Sequence, residues 1–392
     1  MLNLPKNIYV LAIVMSLNFA ATSMMVLVAG LLGTKIAPNS ELATLPLAMM
    51  VIGTAAASIP AALIMQKVGR KKGLVIGNVI AISGLLLAYL AANHQLFSLF
   101  LIASTMIGFN AAFIQQGRFI IIENATNKTQ IADGLTLGLL ANLLAAILGP
   151  ALGSYGRDLM PTAGAYSASF LLASAALGLA LIILISQYRD LPIIVKDRSQ
   201  VKRHLFSIIK QPLFILAAGS AATGYAVMAF VMTATPISMH EINDHSLSHT
   251  TFVIQSHIVA MFLPSVLSGY LLKRGFSISL IITGLVLYLL VCAIALFDQT
   301  VLHYWWALVL LGLGWNLIFI TSTSILPNAY REEEKFQAQA ANDFTMLSFQ
   351  AIAVFAAGWV LFSLNWSGVI WLALITTCVW LVVIGLLNKN KI

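Results

Sequence analysis

Residues 8–32 read IYVLAIVMSLNFAATSMMVLVAGLL, an apolar run that contains no charged side chain and is preceded by Lys6 as the only charge. A helix needs roughly 20 apolar residues to cross the hydrocarbon core of a bilayer. The run is too long for the apolar region of about 7–15 residues in a cleaved signal peptide. It therefore predicts a first membrane span that is retained.

Comparable apolar runs recur about twelve times along the chain. The composition agrees, because 60% of the residues are hydrophobic and only 9% are charged, against about 25% charged residues in a soluble domain. Only helices or closed barrels satisfy their backbone amides inside a bilayer, and the length of these runs indicates helices. We predict an all-α membrane protein whose twelve transmembrane helices cover residues 7–32, 41–66, 73–93, 96–122, 131–156, 162–187, 212–238, 249–272, 277–297, 302–327, 337–363 and 366–387.

The net charge of +8 could indicate a nucleic-acid partner, so the positions of the basic residues matter. If both termini lie in the cytoplasm, nearly every lysine and arginine falls on the cytoplasmic side. Only Lys35 and Arg157 face outward, and Arg118 lies inside a span near its inner end. An excess of basic residues in cytoplasmic loops is typical of inserted membrane proteins. The charge therefore records topology and predicts no nucleic-acid partner.

A polar, basic stretch divides the twelve spans into two sets of six. The turn at residues 65–69 is echoed at residues 271–275, an offset of 206 positions (275 − 69). GFN at residues 108–110 matches GWN at residues 314–316 at the same offset (316 − 110). These matches predict a duplication with parallel halves. The predicted parts are an amino-terminal half at residues 1–187, a cytoplasmic basic linker at 188–211 and a carboxy-terminal half at 212–392.

Two motifs resemble those of the major facilitator superfamily. MQKVGRKK at residues 65–72 resembles the signature turn between spans 2 and 3, although Ala62 and Gln66 replace its leading glycine and its acidic residue. GPALG at residues 149–153 resembles a motif of the antiporter branches, with Ala145 in place of the leading glycine. The resemblance covers the whole chain and is closest to a little-described, drug/proton-antiporter-like bacterial subgroup. It implies an inner-membrane transporter whose two halves rock around a midplane site.

The resemblance also implies residues that gate the transport cycle. Arg70 in the signature turn and Glu123 at the end of span 4 fall on the same membrane face. An acid there is thought to bind that arginine in related transporters when the inside is closed. The alternative is that the turn is basic only because it is cytoplasmic. Gly149, Pro150 and Gly153 are gating candidates in span 5, and their alternative role is to let two helices approach and bend.

Four polar side chains lie at similar depth, about 11 to 14 residues into spans 1, 4, 7 and 10, which is near mid-membrane at 1.5 Å per residue. They are Asn18, Asn110, Tyr225 and Asn316. A polar side chain at that depth is costly unless it faces protein or water, and these four helices line the central cavity in the superfamily. Further candidates for the same substrate site are Trp315, Phe109, Phe230 and Gln255.

Amides and aromatic rings without a fixed charge suit a neutral or amphipathic organic substrate. The alternative for each asparagine is that it bridges neighbouring helices, with a coupling of about 0.6 kcal/mol per bond. Either arrangement would avoid the cost of burying an amide in lipid.

Proton coupling has few candidate residues. Many drug/proton antiporters carry an acid in span 1 or an arginine in the middle of span 4, and Phe113 stands where that arginine would be. In the carboxy-terminal half, the titratable candidates within the spans are His257 and Asp343. A pKa near 6.5 suits histidine to a proton relay. The alternatives are a buried neutral histidine bonded to a neighbour, and an aspartate that caps a helix or pairs with the basic inner face.

The sequence contains no phosphate-binding glycine loop and no nucleophile elbow. His240, His245 and His249 are a weak metal candidate, because their spacing of five and four in a polar stretch favours a solvated loop, and Cys292 and Cys378 form no disulfide framework. We therefore predict a protein that is not an enzyme and needs no cofactor and no metal.

The lead prediction is a secondary active transporter, monomeric in the lipid bilayer of the bacterial inner membrane, which exports a small organic compound in exchange for protons. An importer of a nutrient or iron chelator is the alternative within this class. A non-transporting membrane receptor is the alternative from another class, and it would need a soluble output domain that residues 1–392 do not contain.

Overall fold

The computed structural model describes residues 4–126, 128–160, 164–190, 204–273, 277–331 and 334–389. The regular structure within these residues is helical. The helices of the amino-terminal part are α1 (Lys6–Ile36), α2 (Leu45–Val68), α3 (Arg70–His94), α4 (Phe97–Gln115), α5 (Gly117–Asn124), α6 (Lys128–Gly156) and α7 (Ser167–Gln187).

The carboxy-terminal part begins with a short helix and continues with long ones. Its helices are α8 (Leu205–Ile209), α9 (Pro212–Ile237), α10 (Leu247–Phe262), α11 (Ser265–Lys273), α12 (Ser277–Phe297), α13 (Val301–Ile325) and α14 (Lys335–Lys389). A π-helical turn, Ser238–Ile242, directly follows α9.

Nine helices of the described residues are long and apolar enough to cross a membrane, and Leu140–Gly156 in α6 is a shorter apolar helix. The prediction of an all-α, multi-pass membrane protein is confirmed. The predicted spans at residues 337–363 and 366–387 are joined in α14, where Asn365 has a φ of 60° and a ψ of −177°. The helix axis therefore changes direction at Asn365, between the two predicted spans.

The chain divides into two compact units, Met1–Val195 and Lys196–Ile392. The division falls inside the predicted linker, of which residues 191–203 lie outside the described residues. The described remainder of the linker contains helix α8. The pseudo-symmetry of the two six-helix halves stays a prediction.

Predicted span 8, at residues 249–272, is broken between α10 and α11 by Leu263 and Pro264. Proline has no backbone N–H, and its ring collides with the carbonyl of the preceding turn. Leu263 still donates its N–H to the Val259 carbonyl at 2.9 Å, so α10 stays intact up to the break. The backbone carbonyls next to the break need partners from elsewhere, because lipid provides none.

Helices α2 and α4 pack with their backbones in close contact. A Cβ at Gly108 would overlap the Met50 carbonyl oxygen. A Cβ at Gly53 would lie 2.5 Å from the Thr105 carbonyl oxygen. Thr54 Oγ1 lies 2.9 Å from Met50 O and 3.0 Å from Gly108 O, so its hydroxyl bridges the two helices. Small residues allow this approach, which supplies much of the packing energy between membrane helices.

We expect Gly108→Ala to lower the unfolding temperature of the purified protein in detergent, because the new methyl group can be accommodated only if α2 and α4 separate. Overpacking of this kind costs about 1–3 kcal/mol. Gly178→Ala in α7 is the matched control, since a Cβ there meets nothing within 4 Å. Equal unfolding temperatures for the two variants would show that the α2–α4 contact does not limit stability.

Candidate functional site

Three asparagine side chains from α1, α3 and α4 form a buried amide cluster. Asn110 Nδ2 donates to Asn18 Oδ1 at 2.6 Å, and Asn18 Nδ2 donates to Asn78 Oδ1 at 3.3 Å. Asn18 also donates to the Val14 carbonyl, and Asn78 donates to the Leu74 carbonyl, each within its own helix. All three amides are buried. The cluster therefore links three helices of the amino-terminal half through side-chain bonds.

One acceptor of the cluster stays open. Asn110 Oδ1 is buried and has no hydrogen-bond partner among the described residues, and an unmet buried acceptor costs about 1–3 kcal/mol. The other hydrogen bonds join amides of neighbouring helices. This is the alternative that the sequence left open for Asn18 and Asn110, in which each asparagine bridges two helices. Their contact with a substrate stays a prediction. Asn78 in the apolar helix α3 was missed, because it lies closer to the start of its span than the depth by which the other asparagines were chosen.

Asn316 sits at the break between α10 and α11. Its Nδ2 donates to the Met261 carbonyl at 2.7 Å and to Ser265 Oγ at 2.9 Å. Ser268 donates from Oγ to Asn316 Oδ1 at 2.6 Å. The amide thus satisfies a carbonyl before Pro264 and holds both helix ends to α13. The shared sequence offset of Asn110 and Asn316 does not give them shared bonding, because one joins amides and the other joins a helix break.

Four aromatic rings from α9, α10 and α13 form a cluster in the carboxy-terminal half. Trp315 stacks on Phe319 with ring centroids 4.9 Å apart and an interplanar angle of 14°. Tyr225 meets both rings edge-on at 5.2 and 5.3 Å, and Phe262 meets Trp315 edge-on at 6.1 Å. Tyr225 and Trp315 were predicted for the substrate site. Phe319 was missed, although it follows Trp315 by one helical turn on the same face.

The indole of Trp315 and the hydroxyl of Tyr225 are the polar groups of this aromatic cluster. The indole nitrogen of Trp315, Nε1, is buried and is the one without a hydrogen-bond partner among the described residues. An indole nitrogen can only donate. An N–H beside stacked rings is suited to a carbonyl or ring nitrogen of a planar ligand.

The remaining predicted site residues lie on helices that also carry the clusters. Phe109 on α4 packs against an apolar core that contains Ile8 and Met65. Phe230 is buried on α9, and Gln255 is half-buried on α10. Their contact with a substrate stays a prediction.

Arg70 and Glu123 form a bidentate ion pair in the amino-terminal half. Arg70 Nη2 lies 2.5 Å from Glu123 Oε1, and Arg70 Nε lies 3.0 Å from Glu123 Oε2. Two parallel bonds fix both side chains, which a single contact would not do. The side chains are 26% and 45% exposed, so solvent screens the attraction, but bidentate geometry is the case in which a partly exposed ion pair still gives a measurable coupling of about 0.2–1 kcal/mol. Its role as a gate stays a prediction.

Gly149 and Gly153 bring α6 against α1. A Cβ at Gly149 would lie 2.5 Å from the Ala20 carbonyl oxygen, and one at Gly153 would lie 2.8 Å from Val28 Cγ2. Pro150 stands inside α6 and removes one backbone donor from it. The glycines therefore provide close helix approach, the structural alternative raised for the motif. Their part in alternating access stays a prediction.

His257 is fully buried on α10, and its Nδ1 lies 2.7 Å from the Leu308 carbonyl on α13. A carbonyl only accepts, so Nδ1 carries the proton and the neutral ring has its lone pair on Nε2. Nε2 has no hydrogen-bond partner among the described residues. Asp343 is half-buried in α14 and accepts from Asn342 Nδ2 at 3.1 Å. Coupling of transport to protons through either residue stays a prediction.

Two of the three histidines that follow α9, His240 and His245, use ring nitrogens to hold the chain between α9 and α10. His240 Nδ1 lies 2.8 Å from the His245 carbonyl oxygen, and His245 Nε2 lies 2.8 Å from the Gln299 carbonyl oxygen. Asn243 Nδ2 adds a bond to Gln299 Oε1 at 3.0 Å. These bonds give the two histidines a structural role in the loop.

Comparison with known proteins identifies the family. Residues 11–349 match the Major Facilitator Superfamily. A riboflavin transporter of Brucella anthropi, RfnT, is 34% identical over 370 residues, which cover 94% of this chain and 92% of that protein. YdeG of Bacillus subtilis, an uncharacterized MFS-type transporter, is 26% identical over 395 residues, covering 96% and 91% of the two chains.

Solved structures share the fold at low sequence identity. The crystal structure of the nucleoside transporter NupG has a TM-score of 0.73 at 13% identity and covers 98% of this chain and 100% of its own. A POT family transporter in complex with 5-aminolevulinic acid has a TM-score of 0.73 at 15% identity, covering 96% of each chain. The chain therefore belongs to the Major Facilitator Superfamily, as a multi-pass membrane transporter of a small molecule and not an enzyme.

Proposed function

We propose that this protein transports riboflavin or a closely similar flavin by alternating access of its two halves. The observation that carries the proposal is the 34% identity with a riboflavin transporter along 94% of the chain. An identity that extends over both halves includes every helix from which a substrate site could be built. We place the transporter in the bacterial inner membrane as a monomer with both termini in the cytoplasm.

The chemistry of the two clusters supports a flavin. Riboflavin is neutral and combines a planar, tricyclic heteroaromatic ring with a hydroxylated chain. The aromatic cluster around Trp315 offers flat apolar surface and one unpartnered indole donor. The amide cluster offers an unpartnered acceptor at Asn110 Oδ1. Neither cluster contains a charged side chain, which suits a neutral ligand, since binding pockets are mostly apolar with a few placed polar groups.

For direction we propose uptake, the alternative that the sequence placed second to proton-coupled efflux. The efflux prediction depended on the motif that holds Gly149, Pro150 and Gly153. These glycines bring α6 within backbone contact of α1, and an importer needs such packing as much as an exporter does. Riboflavin is a vitamin, so its uptake provides the cell with a nutrient.

The first test of the substrate is binding. We expect riboflavin at about 100 times its Kd to raise the stability of the purified protein by about 2.7 kcal/mol, through preferential binding to the folded state. A differential thermal scan against ribose and a nucleoside at equal concentration measures this. If the unfolding temperature with riboflavin equals the unfolding temperature with ribose, the proposed substrate is wrong.

The second test asks whether the Trp315 indole N–H binds riboflavin and in which direction riboflavin is transported. Trp315→Phe keeps an aromatic ring and removes the N–H, so we expect the KM for riboflavin to rise about three- to tenfold, the value of one hydrogen bond. Trp306→Phe on the same helix is the matched control, because Trp306 is 46% exposed. Radiolabelled riboflavin is followed in intact cells and in everted vesicles. An equal KM in both variants contradicts the role of Trp315, and active accumulation in everted vesicles indicates efflux.

The ion pair provides a prediction for gating. We expect charge reversal at either residue, Arg70→Glu or Glu123→Arg, to abolish most riboflavin exchange in proteoliposomes. The double reversal should restore part of it, because opposite charges again face each other. The matched control is the same reversal at Arg157 and Asp158, neighbouring residues whose Nε and Oδ1 atoms lie 3.7 Å apart. Failure of the double variant to exceed the single ones would count against a gate at this pair.

We propose that uptake is driven by protons through His257 or Asp343. A relay must lose and regain a proton in each cycle, so His257→Gln and Asp343→Asn should abolish accumulation in response to a pH gradient and leave counterflow measurable. His249→Gln is the matched control, because His249 is exposed on the same helix as His257. If both variants accumulate substrate at the parental rate and pH dependence, another residue or another ion couples transport.

A further inference from the structure

The three residues after α7, here named the 188–190 segment, are bound to the end of the amino-terminal half that carries the Arg70–Glu123 pair. Tyr188 is buried, with an exposed fraction of 1%. Asn124 Nδ2 lies 3.4 Å from the Tyr188 hydroxyl. Because Asn124 directly follows Glu123 in α5, the segment is connected to the acidic side of the pair.

Asn7 at the start of α1 binds the backbone of the same segment. Arg189 N–H donates to Asn7 Oδ1 at 3.2 Å, and Asn7 Nδ2 donates to the Arg189 carbonyl at 2.8 Å. Asn7 Nδ2 also lies 2.7 Å from Asn124 Oδ1. A side-chain amide that meets both backbone groups of one residue fixes the direction of the chain at that point. Asp190 is thereby held close to the first turn of α3.

The carboxylate of Asp190 caps α3. Asp190 Oδ1 accepts from the Lys71 backbone N–H at 3.1 Å. A Cβ at Gly69 would lie 2.6 Å from Asp190 Oδ2, and Gly69 has a φ of 92°. Gly69, the residue before α3, provides no side-chain cap of its own. A carboxylate at a helix amino terminus accepts an otherwise unpaired N–H and interacts favourably with the helix dipole.

We propose that Asp190 is a positioning residue of the transporter, which holds the first turn of α3 so that Arg70 meets Glu123. Arg70 stands between Gly69 and Lys71, and the Asp190 carboxylate lies against both of these neighbours. The family turn has an acidic residue at the position of Gln66 in this chain, so Asp190 brings a carboxylate to the turn from a distant part of the sequence. The proposal rests on the gating role of the ion pair and does not depend on the substrate.

An exposed acid near basic residues could simply balance charge. The contacts of Asp190 argue for the cap, since Asp190 Oδ1 accepts from a backbone N–H. The ammonium group of Lys71 is instead directed to α7, where Nζ donates to the Ile185 carbonyl at 2.8 Å. Charge balance would require only a negative charge at position 190. A cap requires a side-chain oxygen that can accept the Lys71 N–H.

A double-mutant cycle without substrate tests the proposal. Unfolding temperatures are measured for the parent, Arg70→Gln, Glu123→Gln and the double variant, first with Asp190 present and then in an Asp190→Ala background. We expect the non-additivity of the two changes to fall by more than about half when Asp190 is replaced, because the loosened turn no longer aims Arg70. Asp158→Ala is the matched background, since Asp158 is an acid with a side chain 85% exposed.

Conservative rescue separates a cap from a charge. Asparagine caps helices about as well as aspartate does, and alanine does not. We expect hydrogen exchange of peptides covering residues 69–75 to accelerate about fivefold in Asp190→Ala and to remain near the parental rate in Asp190→Asn. The maximal rate of riboflavin exchange should fall in Asp190→Ala and stay near the parental value in Asp190→Asn, with an unchanged KM in both variants.

The outcomes separate the two proposals. Undiminished Arg70–Glu123 coupling in the Asp190→Ala background overturns the positioning role while the gate stands. No coupling in the parent overturns both the gate and the role of Asp190. Equal exchange rates in the alanine and asparagine variants also overturn the cap. Because the cycle uses no ligand, a failure of riboflavin to bind affects the proposed substrate alone.

Discussion

Hydrocarbon offers no hydrogen bonds, so every polar group that this chain carries into the bilayer must find its partner in the protein. Some hydroxyls meet this demand within their own helix: Ser104 donates to the Phe100 carbonyl and Thr377 donates to the Ala373 carbonyl, each one turn back. An amide has two donors and an acceptor, which its own helix does not satisfy. The asparagines of the spans therefore bond to other helices, and they join the helices of each half.

The same constraint decides where the helices can break. Non-helical backbone inside a membrane is tolerated only where protein groups satisfy it. At Pro264 the partner is Asn316, which binds the Met261 carbonyl and the serines of α11. At the Gly69 turn, which lies between two spans and not inside one, the partner is Asp190, which accepts from the Lys71 N–H. Each interruption is thus held by one side chain from a distant part of the chain.

Three buried polar atoms of the predicted functional residues remain without a partner among the described residues: Asn110 Oδ1, Trp315 Nε1 and His257 Nε2. One is an acceptor from an amide, one is an indole donor, and one is a ring nitrogen that can take up a proton. Buried polar groups are nearly always bonded, so each exception calls for an explanation. The proposed flavin has both carbonyl groups and an N–H, which are the kinds of group that an open donor or an open acceptor can bind.

The amino-acid sequence alone determined the membrane class, the family and the positions of most helices, because hydropathy and short motifs are local properties that need no knowledge of contacts. It also named Asn18, Asn110, Tyr225, Trp315 and Asn316, because a polar or amphipathic residue in the middle of an apolar run stands out.

Only the tertiary structure decided what these residues touch. Asn110 and Asn316 occupy corresponding positions 206 apart (316 − 110), yet one binds an amide and the other binds a helix break. Asp190 lies 119 positions from its partner Lys71, and no local pattern marks it as a cap. Contacts of this kind depend on how separate helices pack, which a one-dimensional pattern does not contain.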